Sequence, residues 1–315
     1  MYQAIIEIDL EKGCTVNFLG KRLEMNVEDV LYIAKQKNTL SEGKGWSASF
    51  PDIVNHTSSS TVRRDSDFEA AKHGDYNAAL SIVDKYMKQD KVDEIQKLYP
   101  DASVVYIHKK DMEGANMIPF AYASRLGSNG LSVDDGIVMV TDARHTGASD
   151  LLRLFRRSRF EGEVIPGRNY VVVDDFITSG AEVRDLKDYI ESHGGNVVCV
   201  TSFGHGSYGK LKMNSTQEQH QQLRRYGMTD AELRRYGIAS SIENLSYTEA
   251  SKFMVLVKSR SNSQIDECSP VYQHLMMLQQ RQRSLDVAAE TMKEETEAEI
   301  QVQTSEESRR LSFHR

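Results

Sequence analysis

The amino-acid sequence predicts an α/β protein, and three observations carry that reading. Short β-branched runs without polar alternation recur at Ser103-Val104-Val105-Tyr106-Ile107, Ile137-Val138-Met139-Val140 and Tyr170-Val171-Val172-Val173. This is the pattern of parallel strands buried on both faces. Helical spacing follows the last run at Val183, Leu186 and Ile190, and it stops at His193-Gly194-Gly195 before a further strand, Asn196 to Thr201. Between strand and helix stands Asp174-Asp175-Phe176-Ile177-Thr178-Ser179-Gly180-Ala181-Glu182, a polar cluster at the carboxyl end of a strand. Open α/β sheets take their ligands there. The expected architecture is therefore a Rossmann-like open parallel sheet flanked by helices.

The remaining elements follow in chain order. Tyr2 to Leu10 and Thr15 to Leu19 read as strands joined at Lys12-Gly13, and a helix capped by Asn26 is expected over Val27 to Lys37. Ser41 to Ser66, with Trp46 and the pair Arg63-Arg64, reads as a long loop, either functional or a linker. The segment from Asp67 to Leu98 reads as helical in two pieces, Phe68 to Lys72 and Asn77 to Tyr99, with Asp75 near the second start. A helix is expected from about Asn116 to Leu126 and another over Ser149 to Arg159, where Arg156, Arg157 and Arg159 read as a solvated basic face. Ser202 to Lys210 fits Gly-x-Gly-x-x-Gly, but no helix opens on it and no acid-ended strand follows, so a dinucleotide site is not expected. Phe203 and Tyr208 read either as base-stacking or as packing residues.

Beyond that loop, Thr216 to Tyr226 and Thr229 to Tyr236 read as two short helices, each closing on Arg-Arg-Tyr-Gly. Ser246-Tyr247-Thr248-Glu249 reads as a capping box opening a further helix. From Ser284 to Glu307 acids outnumber bases and apolar periodicity is lost, the composition of a disordered tail that folding does not need. The expected division is a small N-terminal α+β unit with its loop (1–66), a central domain (67–258), and a C-terminal helix with an acidic tail (259–315).

Composition sets limits. A chain of 315 residues suits one large domain or two small ones, and 39% hydrophobic with 27% charged residues supports a packed core. A net charge of −7 gives no global case for nucleic acid or membrane binding. Nucleic acid is consequently not favoured, even though the Arg-Arg-Tyr-Gly repeats could contact a backbone. Cys14, Cys199 and Cys268 are odd in number and widely spaced, as expected of reduced thiols. No apolar run reaches membrane-spanning length and the first residues are not those of a signal peptide, so the expected compartment is cytoplasmic. A homo-oligomer stays open. No metal-ligand cluster of His, Cys or carboxylates is seen, and no tightly held metal is expected.

The chemistry of the central stretch points to a phosphorylated sugar. Backbone N–H groups at a helix start attract phosphate, Gly180 permits close approach, and the Thr178 and Ser179 hydroxyls can donate to phosphate oxygens. Ionised Asp174 and Asp175 only accept, which suits ribose hydroxyls. Here the sequence resembles the type I phosphoribosyltransferase family, whose signature is an apolar strand, two acids, two variable apolar residues and Thr-Thr-Gly-x-Thr. The resemblance covers roughly Asp67 to Phe253. The order, with His145-Thr146-Gly147-Ala148 ahead of the phosphate motif, looks like a branch of that family found on phages and mobile elements.

The resemblance implies a type I phosphoribosyltransferase fold and use of 5-phosphoribosyl 1-diphosphate (PRPP) in nucleotide metabolism, with Mg²⁺ accompanying the diphosphate and a nucleobase or similar nitrogen nucleophile as acceptor. By the same resemblance Asp174 and Asp175 hold the ribose, and Thr178, Ser179, Gly180, Ala181 and Glu182 surround the 5-phosphate. Lys109 and Lys110 meet the diphosphate, and Arg144 with His145 close over the reaction centre. Glu182 departs from the signature, which has Thr there. Its carboxylate opposes a phosphate dianion, and Ser179-x-x-Glu182 reads equally as a capping box. That departure supports a rival: a binding or regulatory module that has lost turnover, or the effector of a phage-defence or retron-like system.

Overall fold

The computed structural model describes residues 6–9, 13–18, 21–25, 43–109, 114–140, 157–205 and 212–261. Strands β1 (Ile6–Asp9), β2 (Gly13–Phe18) and β3 (Lys21–Met25) form an antiparallel meander in that order. β1 and β2 match the first two expected strands; β3 was not anticipated. The residues expected as a helix from Val27 to Lys37 lie outside the described residues.

The segment read as a long loop contains structure. β4 (Val54–Ser58) and the single turn α1 (Ser59–Val62) fall within it. His56 and Val62 are fully buried, and Trp46 is packed edge-on to Phe50. Its Ser- and Gly-rich composition hid a short edge strand whose burial comes from its neighbours. α2 (Phe68–Lys72) lies as expected, whereas the second helical piece is two helices, α3 (Tyr76–Tyr86) and α4 (Gln89–Leu98). Met87 and Lys88 adopt extended backbone between them. Asp75 caps α3, its side chain accepting from Ala78 N at 3.0 Å.

β5 (Ser103–Tyr106) leads to α5 (Ile118–Ser128), with proline in its first turn, and then to β6 (Ser132–Asp134). Ile137 to Val140, expected as a core strand, is not one. β7 (Val138–Met139) pairs antiparallel with β8 (Phe160–Glu161), and among the described residues a bridge from Met139 to Lys109 joins it to the main sheet's end. An apolar run of this length does not by itself distinguish a sheet member from a buried side pair. Residues 157–159 lie outside any helix, and 149–156 lie outside the described residues.

β9 (Asn169–Ile177), α6 (Ala181–Ser192) and β10 (Asn196–His205) complete the central unit. The five-stranded sheet has the order β4-β10-β9-β5-β6, and every pairing in it is parallel. Tyr170 to Val173 are completely buried at its centre. Alternation along β9 sends Val171 and Val173 to the face covered by α3 and α5, and Val172 to the face covered by α6. β10 runs on through Phe203 and Gly204, so the Gly-x-Gly segment begins as strand rather than loop. A Cβ at Gly204 would lie 2.6 Å from the Phe176 ring, a packing reason for that glycine. Phe203 is a core residue stacked on His56.

Residues 212–261 are mostly helical: α7 (Gln217–Arg225), α8 (Asp230–Arg235), a 3₁₀ turn (Ile242–Asn244) and α9 (Tyr247–Ser261). Capping boxes open α7 at Thr216 and Gln219 and α8 at Thr229 and Glu232. Gly227 and Gly237 end these helices at positive φ, as their positions in the repeat implied. The expected box at Ser246 and Glu249 is present: Ser246 N donates to Glu249 Oε2 at 2.9 Å and Glu249 N to Ser246 Oγ at 3.1 Å.

Glu249 also does more than cap. It is completely buried and accepts from Arg184 Nε at 2.9 Å, Arg184 Nη2 at 2.8 Å and Arg157 Nη1 at 3.1 Å. Arg157 further pairs with Asp185. The reading of Arg157 as a solvated face is therefore corrected: it is 3% exposed, inside an ionic cluster between α6 and α9.

Candidate active site at the carboxyl end of the sheet

β5 and β9 are neighbours, yet the crossover after β5 leads outward to β6 and the crossover after β9 leads the opposite way to β10. Their shared carboxyl end is thus the topological switch point, where the connections part and leave a crevice. A cleft of about 460 Å³ opens there. One wall is the turn from Asp174 to Val183, and the other carries Arg63, Phe68, Glu69, Lys72 and His73 from α1, α2 and their connections.

The acid pair is buried, Asp174 at 8% and Asp175 at 7% exposure. Asp175 Oδ2 accepts from Lys72 Nζ at 2.7 Å and from Asn116 Nδ2 at 2.8 Å, while its Oδ1 accepts from Phe176 N at 2.8 Å. Asp174 Oδ1 accepts from Asp175 N at 2.8 Å. Burial pushes the Asp174 carboxyl well above the usual carboxylate range, with the charges of Asp175 and Glu182 adding to it and Lys72 opposing it. The Phe176 ring has the Arg63 guanidinium 5.6 Å and the Lys72 ammonium 5.8 Å from its centroid.

The turn into α6 is held from two sides. Gly180 stands at the N-cap with φ +75°, and no side chain caps the helix at that position. The helix therefore starts one residue later than a box opened by Ser179 requires. Ser179 Oγ instead accepts from Ala181 N at 3.3 Å. A Cβ on Gly180 would meet the Met213 methyl at 2.9 Å and Ser246 Cβ at 3.3 Å. Ser246 Oγ donates to the Ser179 carbonyl at 2.5 Å, so the α9 cap and the turn are joined directly. Thr178 is exposed, and Glu182 lies in the first turn of α6 on the cleft wall.

The structure thus gathers Asp174, Asp175, Thr178, Ser179, Gly180, Ala181 and Glu182 around one cleft. Lys109 is exposed at the carboxyl end of β5, bridged to Met139, and does not line it. Lys110, Arg144, His145 and Tyr208 lie outside the described residues.

No known protein family matches the chain. Two curated proteins are similar to about half of it. Protein TraN of Escherichia coli is 36% identical over 155 residues, 48% of this chain and 35% of TraN. An uncharacterized protein of Haemophilus influenzae is 28% identical over 161 residues, 50% of this chain and 36% of that protein. The chain spans about a third of the length of these relatives.

Sequence reasoning missed Lys72 and Asn116, which reach Asp175 across 103 and 59 residues. Neither carries a local signal. Lys72 is one of many lysines on amphipathic helices, and Asn116 reads as a helix-start residue. Met213 and Ser246 were missed as supports of Gly180 for the same reason, although the Ser246 box was visible.

Proposed function

We propose that this cleft binds a ribose 5-phosphate group and that the chain is a phosphoribosyltransferase acting on PRPP. One observation carries the reading: two buried acids stand near the carboxyl end of β9 at the switch point, and Thr178-Ser179-Gly180 follows the strand's last residue, Ile177, directly into a helix start. Acids there accept from sugar hydroxyls, and the N–H groups of the first helical turn face the phosphate. In the reaction a nitrogen nucleophile bonds to the anomeric carbon as the bond to diphosphate breaks, the electron pair leaving with the diphosphate and the nucleophile releasing its proton. Positioning and charge neutralisation dominate such chemistry. Lys109, at the end of β5 outside the cleft lining, and Lys110 are proposed to meet the diphosphate, and Arg144 with His145 to close over the reaction centre.

Mg²⁺ would supply charge neutralisation on the diphosphate. Asp175 is already committed to Lys72 and Asn116, and among the described residues no group of three or more His, Cys, Asp or Glu side chains is placed to hold a metal. The donor set fits a cation carried in by the diphosphate better than a protein cage of six oxygens. Calorimetry with PRPP and Mg²⁺ tests the reading. Wild type binds, and a variant carrying both Asp174→Asn and Asp175→Asn loses affinity; equal affinity sinks the assignment. A nucleobase panel scored by diphosphate release then tests turnover.

A second reading, a binding or regulatory module on the same site, is favoured by Glu182, whose charge stands on the cleft wall beside the acid pair. Glu182→Thr removes a charge that repels the phosphate and is expected to tighten PRPP binding, with Glu182→Gln intermediate. Unchanged affinity in both would mean Glu182 does not weaken the site.

A further inference from the structure

Asp174 and Asp175 are adjacent in sequence but differ in what surrounds them. A carboxylate offers about four lone-pair sites. Asp175 fills three, with Lys72 Nζ, Asn116 Nδ2 and Phe176 N. Those partners come from α2, from the segment before α5 and from β9, so the carboxylate ties the two cleft walls to each other and to the segment before α5. Asp174 lines the same cleft, and among the described residues its one hydrogen bond is from Asp175 N to Oδ1. Its second oxygen is the better acceptor for an incoming hydroxyl.

We propose that the two acids divide the work: Asp174 meets the ribose hydroxyls, whereas Asp175 is a positioning residue, clamped by Lys72 and Asn116 so that the cleft walls and Asp174 keep their geometry. The proposal rests on the phosphoribosyl reading and deepens it by assigning unlike roles to the pair. Lys72 has a second effect. Its ammonium is the cation that opposes the acid charges felt by Asp174, which come from Asp175 on the same strand and Glu182 on α6. Arg63, Glu69 and His73 line the cleft beside them. Removing the ammonium makes Asp174 harder to ionise, and an ionised Asp174 is the form that accepts two hydroxyls.

The test uses the full chain with PRPP and Mg²⁺, titrated by calorimetry across pH, with the melting temperature of the ligand-free protein alongside. Asp174→Asn is expected to weaken PRPP about tenfold or more, from loss of hydrogen bonds to a charged acceptor, without lowering the ligand-free melting temperature. Asp175→Asn is expected to lower that temperature as well as weaken binding. Lys72→Met should weaken binding and move its acid limb to higher pH, Lys72→Arg should restore the limb, and Asn116→Ala should weaken binding without moving it. A purely structural Lys72 would change melting and leave the acid limb in place. The proposal is overturned if Asp174→Asn binds like wild type, or if Lys72→Met leaves the acid limb where it was. If wild type itself takes up no PRPP, the phosphoribosyl reading falls and this assignment with it, an outcome distinct from either of the others.

Discussion

Gly180 concentrates several constraints in one residue. Its φ of +75° is in the left-handed region, and the space a Cβ would need is taken by Met213 and Ser246. Gly180→Ala should therefore cost about 1–2 kcal/mol from the backbone alone, with the Met213 contact adding to it. Urea denaturation checks this. Shortening Met213 in the Gly180→Ala background should recover the steric part and leave the backbone part. The glycine was legible in the sequence because a tight strand-to-helix turn needs a residue free to take a positive φ. The acid pair was legible for a similar reason, being a short motif at a strand end. Lys72 was not, because its role exists only after the chain has brought α2 to β9. The expected Ser179 box failed for a related reason: the left-handed Gly180 takes the cap position, and four residues of matching type do not fix which one begins the helix.

At the level of elements, the join between α6 and α9 depends on Glu249. Its carboxylate faces two arginines in a site closed to water, and it also caps its own helix. Glu249→Ala removes the carboxylate that both arginines share, leaving Arg157 to Asp185 and Arg184 to Asp185 and Asp188 at 3.7 and 3.9 Å, and breaking a buried pair in this way costs about 3–5 kcal/mol. The expected outcome is a protein with a much lower denaturation midpoint, and a loss under about 1 kcal/mol, the range of exposed pairs, would contradict it. The box at Ser246 was visible in the sequence, since its spacing is local. The ionic cluster was not. Arg184, Asp185, Lys187 and Asp188 make α6 look like a surface helix, and only packing against segments distant in sequence buries them: Gly45 and Trp46 on Lys187, Arg157 and Ser158 on Asp185, and the C-terminal residues Asn244 and Glu249 on Asp188 and Arg184. β4 was missed in the same way, because an edge strand of polar residues has no periodicity to betray it.

For the whole molecule, the sheet was anticipated in class and in its central unit, while membership at its edges was not. A buried chain of hydrogen bonds fastens the β4 edge. Lys88 N donates to His56 Nδ1 at 3.0 Å, so His56 carries its proton on Nε2 toward Tyr122 Oη. Tyr122 then donates to Thr201 Oγ1 at 2.6 Å, and Thr201 to the Val54 carbonyl at 2.9 Å. A second proton on His56 would face the Lys88 N–H. Burial, followed by the Lys88 charge, lowers His56 from 6.5 to about 4. The unfolded chain thus binds the proton more readily, so this contribution to stability is complete above pH 6.5 and is lost as the pH falls toward 4. The loss over that window is about 3 kcal/mol. Denaturation midpoints measured from pH 7 downward should show it, and His56→Asn should flatten the curve there while lowering stability at neutral pH. An unchanged slope in the variant would assign the acid sensitivity elsewhere.

The Ser246 hydroxyl on the Ser179 carbonyl makes the two ends of this contact thermodynamic partners. If a ligand that orders the turn strengthens this contact, the contact must by reciprocity strengthen ligand binding by the same coupling free energy. Occupancy of the cleft should then be readable far from it, as slower hydrogen exchange of the α9 amides, and Ser246→Ala should uncouple that distant report from binding.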